Sequence, residues 1–481
     1  VDQTSLVERV LTDDPLKVYA LMNFETRNKY RTIIERLSLG SEYTETVVAR
    51  LAIDLAEERL TSPSEQQDDR QAHVGYWLVD AGRSRLEAVL EYQPPFMEKL
   101  RKFILGHAGI GYAIGLLTVF LLALLLPGMY LRNSGASVWL WLGGMGLSLL
   151  PASVLSVTLV QWLITLLVRP RQLPSMDYSK GIPAECRTAV AVPVIVAQAE
   201  DVDELLERLE IRWLSNPDPS LRFVLLSDLM DAPTEHTPQD IDIEQALESG
   251  LNGLNRQYSS AGEPFVLMHR RRHHSLTECC WMGRERKRGK LEQFNAFILD
   301  GSLGEFSVSV GDVEQLRLCK FVITLDADTM LPPQTAAKLI GTMMHPLNRP
   351  IVSHQTGKVM NGYTVIQPRV EVLPLSGPVS LFCRLYAGDT AIDIYSRAVS
   401  DLYQDLFGTG IFVGKGIYDV RAFQASLENR VPDAAILSHD LFEGVQGRTA
   451  LASNIVLYEN FPSSYPEYAL RLHRWIRGDW Q

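Results

Sequence analysis

The spacing of apolar residues divides the chain into three parts. In residues 1–100, apolar side chains recur at helical intervals, as in Tyr30, Ile33, Ile34 and Leu37, and this spacing predicts amphipathic helices. Two long apolar stretches follow, and beyond them short apolar runs alternate with helical patterns. We therefore expect a helical N-terminal region, a pair of apolar helices and an α/β region.

The two apolar stretches, Gly109–Leu131 and Val138–Val168, contain no charged residue. Each is long enough to cross a bilayer, which takes about 20 helical residues. A buried hairpin of a soluble protein is the alternative, and the lack of charge argues against it. Basic residues flank the pair at Lys99, Arg101, Lys102, Arg169 and Arg171, whereas the loop between the stretches holds only Arg132. By the positive-inside rule, both large polar segments are expected to be cytoplasmic.

The last part of the chain alternates predicted strands and helices. The predicted elements are Thr188–Val196, Asp203–Leu214, Leu221–Ser227, Phe265–Met268, Lys320–Leu325 and Tyr363–Ile366. Strands that alternate with helices predict a mostly parallel sheet with helices on both faces. We expect a helical cytoplasmic region (1–100), a transmembrane hairpin (101–171) and an α/β domain (172–481).

Length, charge and cysteine content narrow the functional classes. A chain of 481 residues is longer than one hydrophobic core usually supports, so we expect two or three domains. Its net charge of −11 argues against nucleic-acid binding. Five cysteines, an odd number without paired metal-ligand spacing, suit reduced cytosolic thiols. The chain starts without Met and stops at Gln481, so we expect a piece of a longer protein with further modules downstream.

Two acids, Asp326 and Asp328, follow the predicted strand that ends at Leu325. Because residues two apart on an extended segment point to the same side, both carboxylates can face one cation. Mg²⁺ or Mn²⁺ bound in this way usually completes its shell with water and substrate phosphates. The pair predicts a metal site beside a nucleotide diphosphate, with two solvated loop acids as the alternative.

A second group of polar residues is expected at the same sheet edge. Asp228 ends another predicted strand, where it could accept hydrogen bonds from a nucleobase or ribose, or simply cap a turn. A basic block follows, in which Lys290 supplies charge for a diphosphate and Asn295 can turn inward. A solvated charged loop, or contact with anionic lipid, is the alternative interpretation of the block.

The last third of the chain holds candidates for acceptor binding and proton transfer. The glycine-rich segment 408–416, with Gly410, suits a tight surface for a sugar acceptor. Asp440 opens a predicted helix and is the candidate general base, with helix capping as the alternative. Near the end, Arg474 can stabilise a departing diphosphate and Trp475 can stack on a sugar. An interfacial belt of Trp and Arg is the alternative there.

Taken in order, these motifs resemble those of processive family 2 glycosyltransferases such as cellulose and hyaluronan synthases. Two positions differ, because His439 precedes Asp440 where that family has Glu, and Arg471 replaces a Gln. Longer stretches, among them Gly-Arg-Glu-Arg-Lys-Arg-Gly-Lys-Leu-Glu and His-Arg-Trp-Ile-Arg-Gly-Asp-Trp-Gln, closely resemble the glycosyltransferase region of bacterial cyclic β-1,2-glucan synthases, glycosyltransferase family 84. This resemblance covers the apolar pair and everything after it.

The resemblance implies a nucleotide-sugar-binding GT-A-like fold, a multi-pass location in the bacterial inner membrane, and inverting transfer of glucose from UDP-glucose to a β-1,2-glucan acceptor. It also implies a divalent cation on Asp326 and Asp328, Asp440 as the catalytic base, and priming by self-glucosylation. Tyr395, Tyr403 and Tyr418 lie near the expected acceptor region, and each is a candidate for the self-glucosylated residue. A related synthase with another linkage or donor, and a non-catalytic membrane scaffold, are the alternative functions.

Overall fold

We analysed a computed structural model of the chain. It describes residues 5–61, 69–168, 170–353, 355–373, 380–386, 401–428, 430 and 439–479. The fold combines an N-terminal helical region, two long apolar helices and an eight-stranded sheet. The predicted fold class, a mixed and mostly parallel α/β sheet with those two additions, is confirmed and is compatible with a GT-A-like fold.

The N-terminal region is built from short helices around apolar side chains. Its α-helices are α1 (Leu6–Leu11), α2 (Phe24–Leu39), α3 (Glu45–Thr61), α4 (Val74–Val79), α5 (Arg83–Val89) and α6 (Phe96–Gly106). Helix α2 buries Tyr30, Ile33, Ile34 and Leu37, the residues whose spacing predicted it. Asn23 caps this helix, because its side chain accepts a hydrogen bond from the Thr26 N–H at 2.9 Å.

Two apolar helices follow, α7 (Ala108–Asn133) and α8 (Val138–Leu167). Among the described residues, these two are long and apolar enough to cross a membrane. They pack against each other, and the Ser156 hydroxyl donates to the Leu116 carbonyl across the pair at 2.7 Å. Most of their large apolar side chains are exposed, which suits a lipid environment.

The sheet contains eight strands in the order β12-β10-β11-β7-β1-β2-β3-β6. These strands are β1 (Thr188–Val196), β2 (Leu221–Leu229), β3 (Phe265–Arg270), β6 (Phe306–Val310), β7 (Phe321–Thr324), β10 (Val365–Val372), β11 (Gly416–Asp419) and β12 (Thr449–Glu459). Two small hairpins are formed by β4 (His273–Ser275) with β5 (Cys280–Met282) and by β8 (Ile351–Val352) with β9 (Val359–Asn361). Strands β6 and β11 run antiparallel to their neighbours.

Helices cover both faces of the sheet, as a buried parallel sheet requires. The helices that pack on its strands are α9 (Asp201–Ser215), α10 (Asp240–Gln257), α11 (Arg286–Asp300), α12 (Thr335–Met344) and α15 (Val420–Leu427). The other helices of this part of the chain are α13 (Leu381–Tyr386), α14 (Leu402–Phe407), α16 (Asp440–Gly447) and α17 (Tyr465–Asp479). Alternate residues of the central strands enter two separate cores, so that Val190 packs in one and Ala191 in the other.

The N-terminal helices belong to the first of these two cores. Ile34 and Trp77 share it with Leu225 and Ile323 of the sheet. Polar contacts reinforce the junction, since the Thr26 hydroxyl accepts a hydrogen bond from the Ser175 N–H at 3.0 Å. Residues from the N-terminal helical region therefore help to support the sheet.

Candidate functional site

The carboxyl ends of six strands lie along one edge of the sheet. Strands β1, β2, β3, β7, β10 and β12 run in one direction, because β11 is antiparallel to both β7 and β10. Asp228 and Arg270 lie at the ends of β2 and β3, Asp326 follows β7, and Glu459 ends β12. In open α/β sheets, ligands bind at this edge.

Three carboxylates meet at the β7 and β12 end of this edge. One oxygen each from Asp326, Asp328 and Glu459 lies within 4.8 Å of the others. Asp326 and Asp328 are partly exposed, whereas Glu459 is buried. Hard divalent cations such as Mg²⁺ and Mn²⁺ prefer carboxylate oxygens. The donor set therefore fits such a cation, and we call these three residues the acidic cluster.

Buried polar contacts hold the loop that carries the two aspartates. Arg212, from helix α9, donates to the backbone carbonyls of Ala327 at 2.6 Å and Thr329 at 3.0 Å. The Thr329 hydroxyl in turn donates to Glu459 Oε1 at 2.7 Å. Because the loop is fixed from two sides, its carboxylates are in position before any ligand binds.

Three basic side chains surround the acidic cluster. Lys287 Nζ lies 2.6 Å from Asp326 Oδ1, and Lys415 Nζ lies 3.1 Å from Asp326 Oδ2 and also contacts Glu459 Oε1. Arg471 Nη2 is 3.4 Å from Glu459 Oε2. These cations come from helix α11, the glycine-rich segment and helix α17, so the fold joins distant parts of the sequence here.

The charges of this group shift the pKa values of its members in opposite directions. Burial raises the pKa of Asp326, but Lys287 and Lys415 outweigh it and hold that pKa well below its ordinary value. The pKa of Asp328 is raised by burial, by Glu459 and by Asp326. Arg471 and Lys415 oppose this rise in the pKa of Asp328, and a bound cation would oppose it further.

Asp440 lies next to the glycine-rich segment that carries Lys415. Its Oδ2 is 2.5 Å from the position that a Cβ on Gly414 would take, and Gly414 has a positive φ of 80° that suits glycine. Lys287 Nζ donates to the Gly414 carbonyl at 2.9 Å. Burial lowers the pKa of Lys287, but Asp326 and then Asp440 raise it above its ordinary value. Lys287 thus lies near both the acidic cluster and the candidate base.

A further carboxyl group, Glu443, lies one turn after Asp440 on helix α16. Burial is the main reason that its pKa rises to about 8, and the charge of Asp440 adds to the rise. Arg288 Nε lies 3.6 Å from Glu443 Oε1 and opposes the rise. A pKa of about 8 favours the protonated form of Glu443 at neutral pH, and this form adds no negative charge beside Asp440.

Asp228 and Lys290 form a separate, enclosed group. Asp228 accepts two hydrogen bonds from Arg270, at 2.8 and 2.9 Å, and lies 2.9 Å from Lys290 Nζ. Lys290 also donates to the carbonyls of Val194 at 2.6 Å and Leu226 at 3.3 Å. Burial lowers the pKa of Lys290 to about 8. The structure thus places Lys290 inside the protein, where its three donors are already used, and not at the exposed edge that the sequence suggested.

Asn295 is also enclosed. Its Oδ1 accepts a hydrogen bond of 2.9 Å from the hydroxyl of Tyr418, and both side chains are buried. Burial raises the pKa of Tyr418 above its ordinary value. The structure thus places the Asn295 side chain against a tyrosine of β11. The Tyr418 hydroxyl, a candidate for self-glucosylation, is not at the surface in this conformation.

The other acceptor candidates lie in different surroundings. Gly410 is buried, and its N–H donates to the Thr449 carbonyl at 2.7 Å, so this glycine joins the segment to β12. Tyr403 is partly exposed on helix α14, and its ring lies 6.3 Å from that of Phe407. Tyr395 lies outside the described residues. The structure therefore brings neither Gly410 nor Tyr403 into contact with the acidic cluster.

Helix α17 presents its basic and aromatic residues next to the cluster. Arg471 reaches Glu459, and its guanidinium lies 4.7 Å from the centre of the Trp475 ring. Arg474 and Trp475 are exposed. The sequence predicts that Arg474 contacts the diphosphate, and in the structure Arg471 is the arginine that contacts the acidic cluster.

Sequence reasoning missed three members of this site, namely Glu459, Lys287 and Lys415. Lys287 lies in the basic block and Lys415 in the glycine-rich segment, but the sequence pattern favoured neighbouring residues in both segments. Glu459 ends an 11-residue apolar strand, β12. An acid at the end of such a strand is the signal that could have found it, as it did for Asp326.

Comparison with known proteins supports the resemblance seen in the motifs. No protein-family model matches the chain. The chain is 37% identical over 470 residues to cyclic beta-(1,2)-glucan synthase NdvB of Rhizobium meliloti (strain 1021). The alignment covers 96% of this chain, so the similarity extends into the N-terminal helices, but it spans only 16% of the relative's length. The predicted resemblance is therefore confirmed, and nearly the whole chain is similar to one region of a cyclic β-1,2-glucan synthase.

Proposed function

We propose that this chain is the glucosyltransferase region of a membrane-bound glucan synthase that transfers glucose from UDP-glucose to a β-1,2-glucan. The observation that carries the proposal is the convergence of Asp326, Asp328 and Glu459 with basic residues beside Asp440. A site of paired charges beside a candidate base suits transfer from a donor with a diphosphate leaving group. The similarity to a glucan synthase supports this assignment.

In this proposal Asp326, Asp328 and Glu459 would hold Mg²⁺ or Mn²⁺. Such a cation, when bound, supplies positive charge that stabilises the diphosphate leaving group. Lys287 is the lysine that we place near the diphosphate, because it lies at the partly exposed side of the cluster whereas Lys290 is enclosed. Arg474 is exposed one turn beyond Arg471 and would meet the departing UDP.

Asp440 is the proposed general base. Its carboxylate would accept the proton of a glucose 2-hydroxyl while that oxygen bonds to the anomeric carbon of the donor glucose. The bond between the anomeric carbon and the diphosphate oxygen breaks in the same step, and UDP leaves on the opposite face. One displacement inverts the anomeric centre, so the site needs one base and no covalent intermediate.

Asp228, Lys290 and Asn295 act in this proposal from inside the protein. Lys290 ties helix α11 to the ends of β1 and β2 through Val194 and Leu226. Asn295 ties the same helix to β11 through Tyr418. Since Lys287 is on helix α11, these contacts fix the position of its ammonium group. Asp228 would shape the wall of the nucleotide pocket through its pair with Arg270.

Trp475 is the proposed stacking surface for the acceptor sugar, because it is exposed beside Arg471 and the acidic cluster. Gly410 would support the acceptor surface indirectly through β12. Self-glucosylation would use Tyr403 or Tyr395 in preference to the enclosed Tyr418. Intact-mass analysis after incubation with UDP-glucose, followed by peptide mapping, identifies the modified residue.

The proposed location is the bacterial inner membrane, with α7 and α8 as membrane spans and the sheet on the cytoplasmic side. The apolar exposed surfaces of these helices and the basic residues on their polar flanks support this orientation. UDP-glucose would then reach the site from the cytosol. The longer relative suggests that further modules of the same protein act on the glucan.

The test uses membranes that contain the protein and UDP-glucose labelled in its sugar. We expect labelled glucan with β-1,2 linkages, and loss of the product on addition of EDTA that excess Mg²⁺ or Mn²⁺ reverses. UDP-N-acetylglucosamine and GDP-mannose serve as donor controls. A product with another linkage, or label from another donor, would assign the site to a different synthase. Absence of any transfer would reject the proposal.

A further inference from the structure

Lys415 occupies a central place in the acidic cluster. Its ammonium lies 3.1 Å from Asp326 Oδ2 and contacts Glu459 Oε1, so it bridges two of the three acids. Its side chain is only 8% exposed. In the sequence, Lys415 lies between two glycines with positive φ, Gly414 and Gly416. The position of this cation is therefore built into the fold.

The other two cations of the site contact the acids differently. Lys287 is about one third exposed and touches one acid, at the opposite oxygen, Asp326 Oδ1. Arg471 approaches Glu459 at Oε2, at 3.4 Å. Lys415 alone among these three bridges two carboxylates.

We propose that Lys415 is a positioning residue that occupies the acidic cluster as a counter-cation and thereby sets its affinity for divalent metal. The inference rests on the proposed function, since it takes the cluster to be the metal site. The ammonium holds Asp326 and Glu459 together, and it also repels a second cation at the same oxygens. Metal alone then binds weakly.

A negatively charged diphosphate changes this balance. Its oxygens offer the metal additional ligands and offer Lys415 a new partner, so that metal and donor bind more tightly together than either does alone. Lys415 would thus couple metal binding to donor binding. A protein without this ammonium would bind metal well even without a nucleotide, and the coupling would shrink.

The experiment measures Mn²⁺ binding by electron paramagnetic resonance on the whole protein in detergent, with and without UDP. Lys415→Met should lower the Kd for Mn²⁺ without UDP by at least tenfold. UDP should tighten Mn²⁺ binding less in this variant than in the wild type. Lys415→Arg retains a cation and should keep the Kd within about threefold of the wild type. Lys287→Met, which removes a cation that does not bridge, should have a smaller effect than Lys415→Met.

Thermal unfolding provides a second readout that a merely structural lysine would not reproduce. Lys415→Met leaves carboxylates uncompensated, so its melting temperature should fall without metal and recover with Mn²⁺, and the Mn²⁺-induced increase should exceed that of the wild type. An unchanged or higher Kd in Lys415→Met, or no larger thermal response, would overturn the inference. If Asp328→Asn weakens Mn²⁺ binding while Lys415→Met changes nothing, the metal site stands and the role of Lys415 alone is rejected. If the wild type binds no Mn²⁺ even with UDP, the metal site of the proposed function fails as well.

Discussion

Two groups of charged side chains lie along the same edge of the sheet, and they differ in how far their side chains are exposed to solvent. In the group at β2 and β3, one carboxylate, Asp228, is shared by Arg270 and Lys290, and all three side chains are buried. In the acidic cluster at β7 and β12, three carboxylates meet three cations, and Asp326 and Asp328 are partly exposed. The first group has no open ligand position, whereas the second has carboxylate oxygens that a cation can reach.

This difference shows why position at the carboxyl end of a strand is not enough to define a site. Asp228 and Asp326 both end or follow parallel strands, and both are paired with lysines of helix α11. Lys287 and Lys290 are three residues apart, so successive turns of one helix supply the partly exposed Lys287–Asp326 pair and the buried Lys290–Asp228 pair. We call the acidic cluster with its three cations the half-open group, and we call Asp228, Arg270 and Lys290 the closed group. The interior pair fixes the helix, and the half-open pair remains available for chemistry.

The largest expected effect is on turnover, at Asp440 beside the half-open group. Asp440→Asn should reduce glucosyl transfer by about 10²–10⁴-fold, because a general base contributes on this scale. UDP-glucose binding should be largely retained, since the change removes no cation from the acidic cluster. Initial rates with labelled donor and a separate binding titration check both parts. Asp312→Asn, at an exposed aspartate elsewhere in the chain, is the matched control, and equal rates for the two variants would remove Asp440 from the role of base.

The next effect separates the two groups by stability. Lys290→Met should lower the free energy of unfolding by on the order of 3 kcal/mol, because it breaks a buried ion pair and leaves the carbonyls of Val194 and Leu226 without this donor. Lys287→Met should cost about 1 kcal/mol or less, since its pair is partly exposed. Thermal and denaturant unfolding of the two variants measure the contrast. Similar losses for both would contradict the division into a closed and a half-open group.

Glu443 provides a third test, because its side chain is mostly covered and Arg288 compensates its charge only in part. Its pKa of about 8 lies above the ordinary value of 4.5, so the folded protein retains a proton that the unfolded chain has released. Wild-type stability should therefore fall as the pH rises from about 4.5 to 8. Glu443→Gln lacks this dependence, and from pH 6 to pH 8 it should gain about 2 kcal/mol relative to the wild type.

Unfolding measured at pH 6, 7 and 8 gives that difference directly. Glu428→Gln, at an exposed glutamate that follows helix α15, serves as the control variant. If the difference between Glu443→Gln and the wild type stays constant over this pH range, Glu443 carries no raised pKa in the folded protein. The role of this residue as a neutral neighbour of Asp440 would then be lost.

The sequence predicted those parts of the fold that depend on local periodicity. The burial of Tyr30, Ile33, Ile34 and Leu37 along one helix, the two apolar helices and strands β1, β2 and β7 follow from the spacing of apolar residues alone. Strand β11 was not predicted, because it is a four-residue strand directly after a glycine-rich segment. Its antiparallel pairing with β7 and β10 is a long-range feature that local periodicity does not specify.

Within the site, the sequence indicated segments better than it indicated individual side chains. Helix α11 is basic in its first turns, but the choice between Lys287 and Lys290 depends on which turn lies at the exposed part of the sheet edge. Glu459 was missed because two of its partners are distant in sequence: Thr329 is 130 residues away and Lys415 is 44 residues away, as their numbers show. The topology of the sheet brings Thr329 and Lys415 to Glu459, and no local sequence motif predicts these contacts.

Glu459 therefore gives the smallest but most direct test of the half-open group. Glu459→Gln keeps the shape of the side chain but removes one of three charges from the acidic cluster, so Mn²⁺ binding in the presence of UDP should weaken by about tenfold. Glu467→Gln, at an exposed glutamate on helix α17, should leave the Kd near that of the wild type. An unchanged Kd in Glu459→Gln would show that the cluster holds its cation with the two aspartates alone. Glu459 would then only accept contacts from Thr329 and Lys415. In that case its carboxylate, like that of Asp228 in the closed group, would have a structural role and would not bind a ligand.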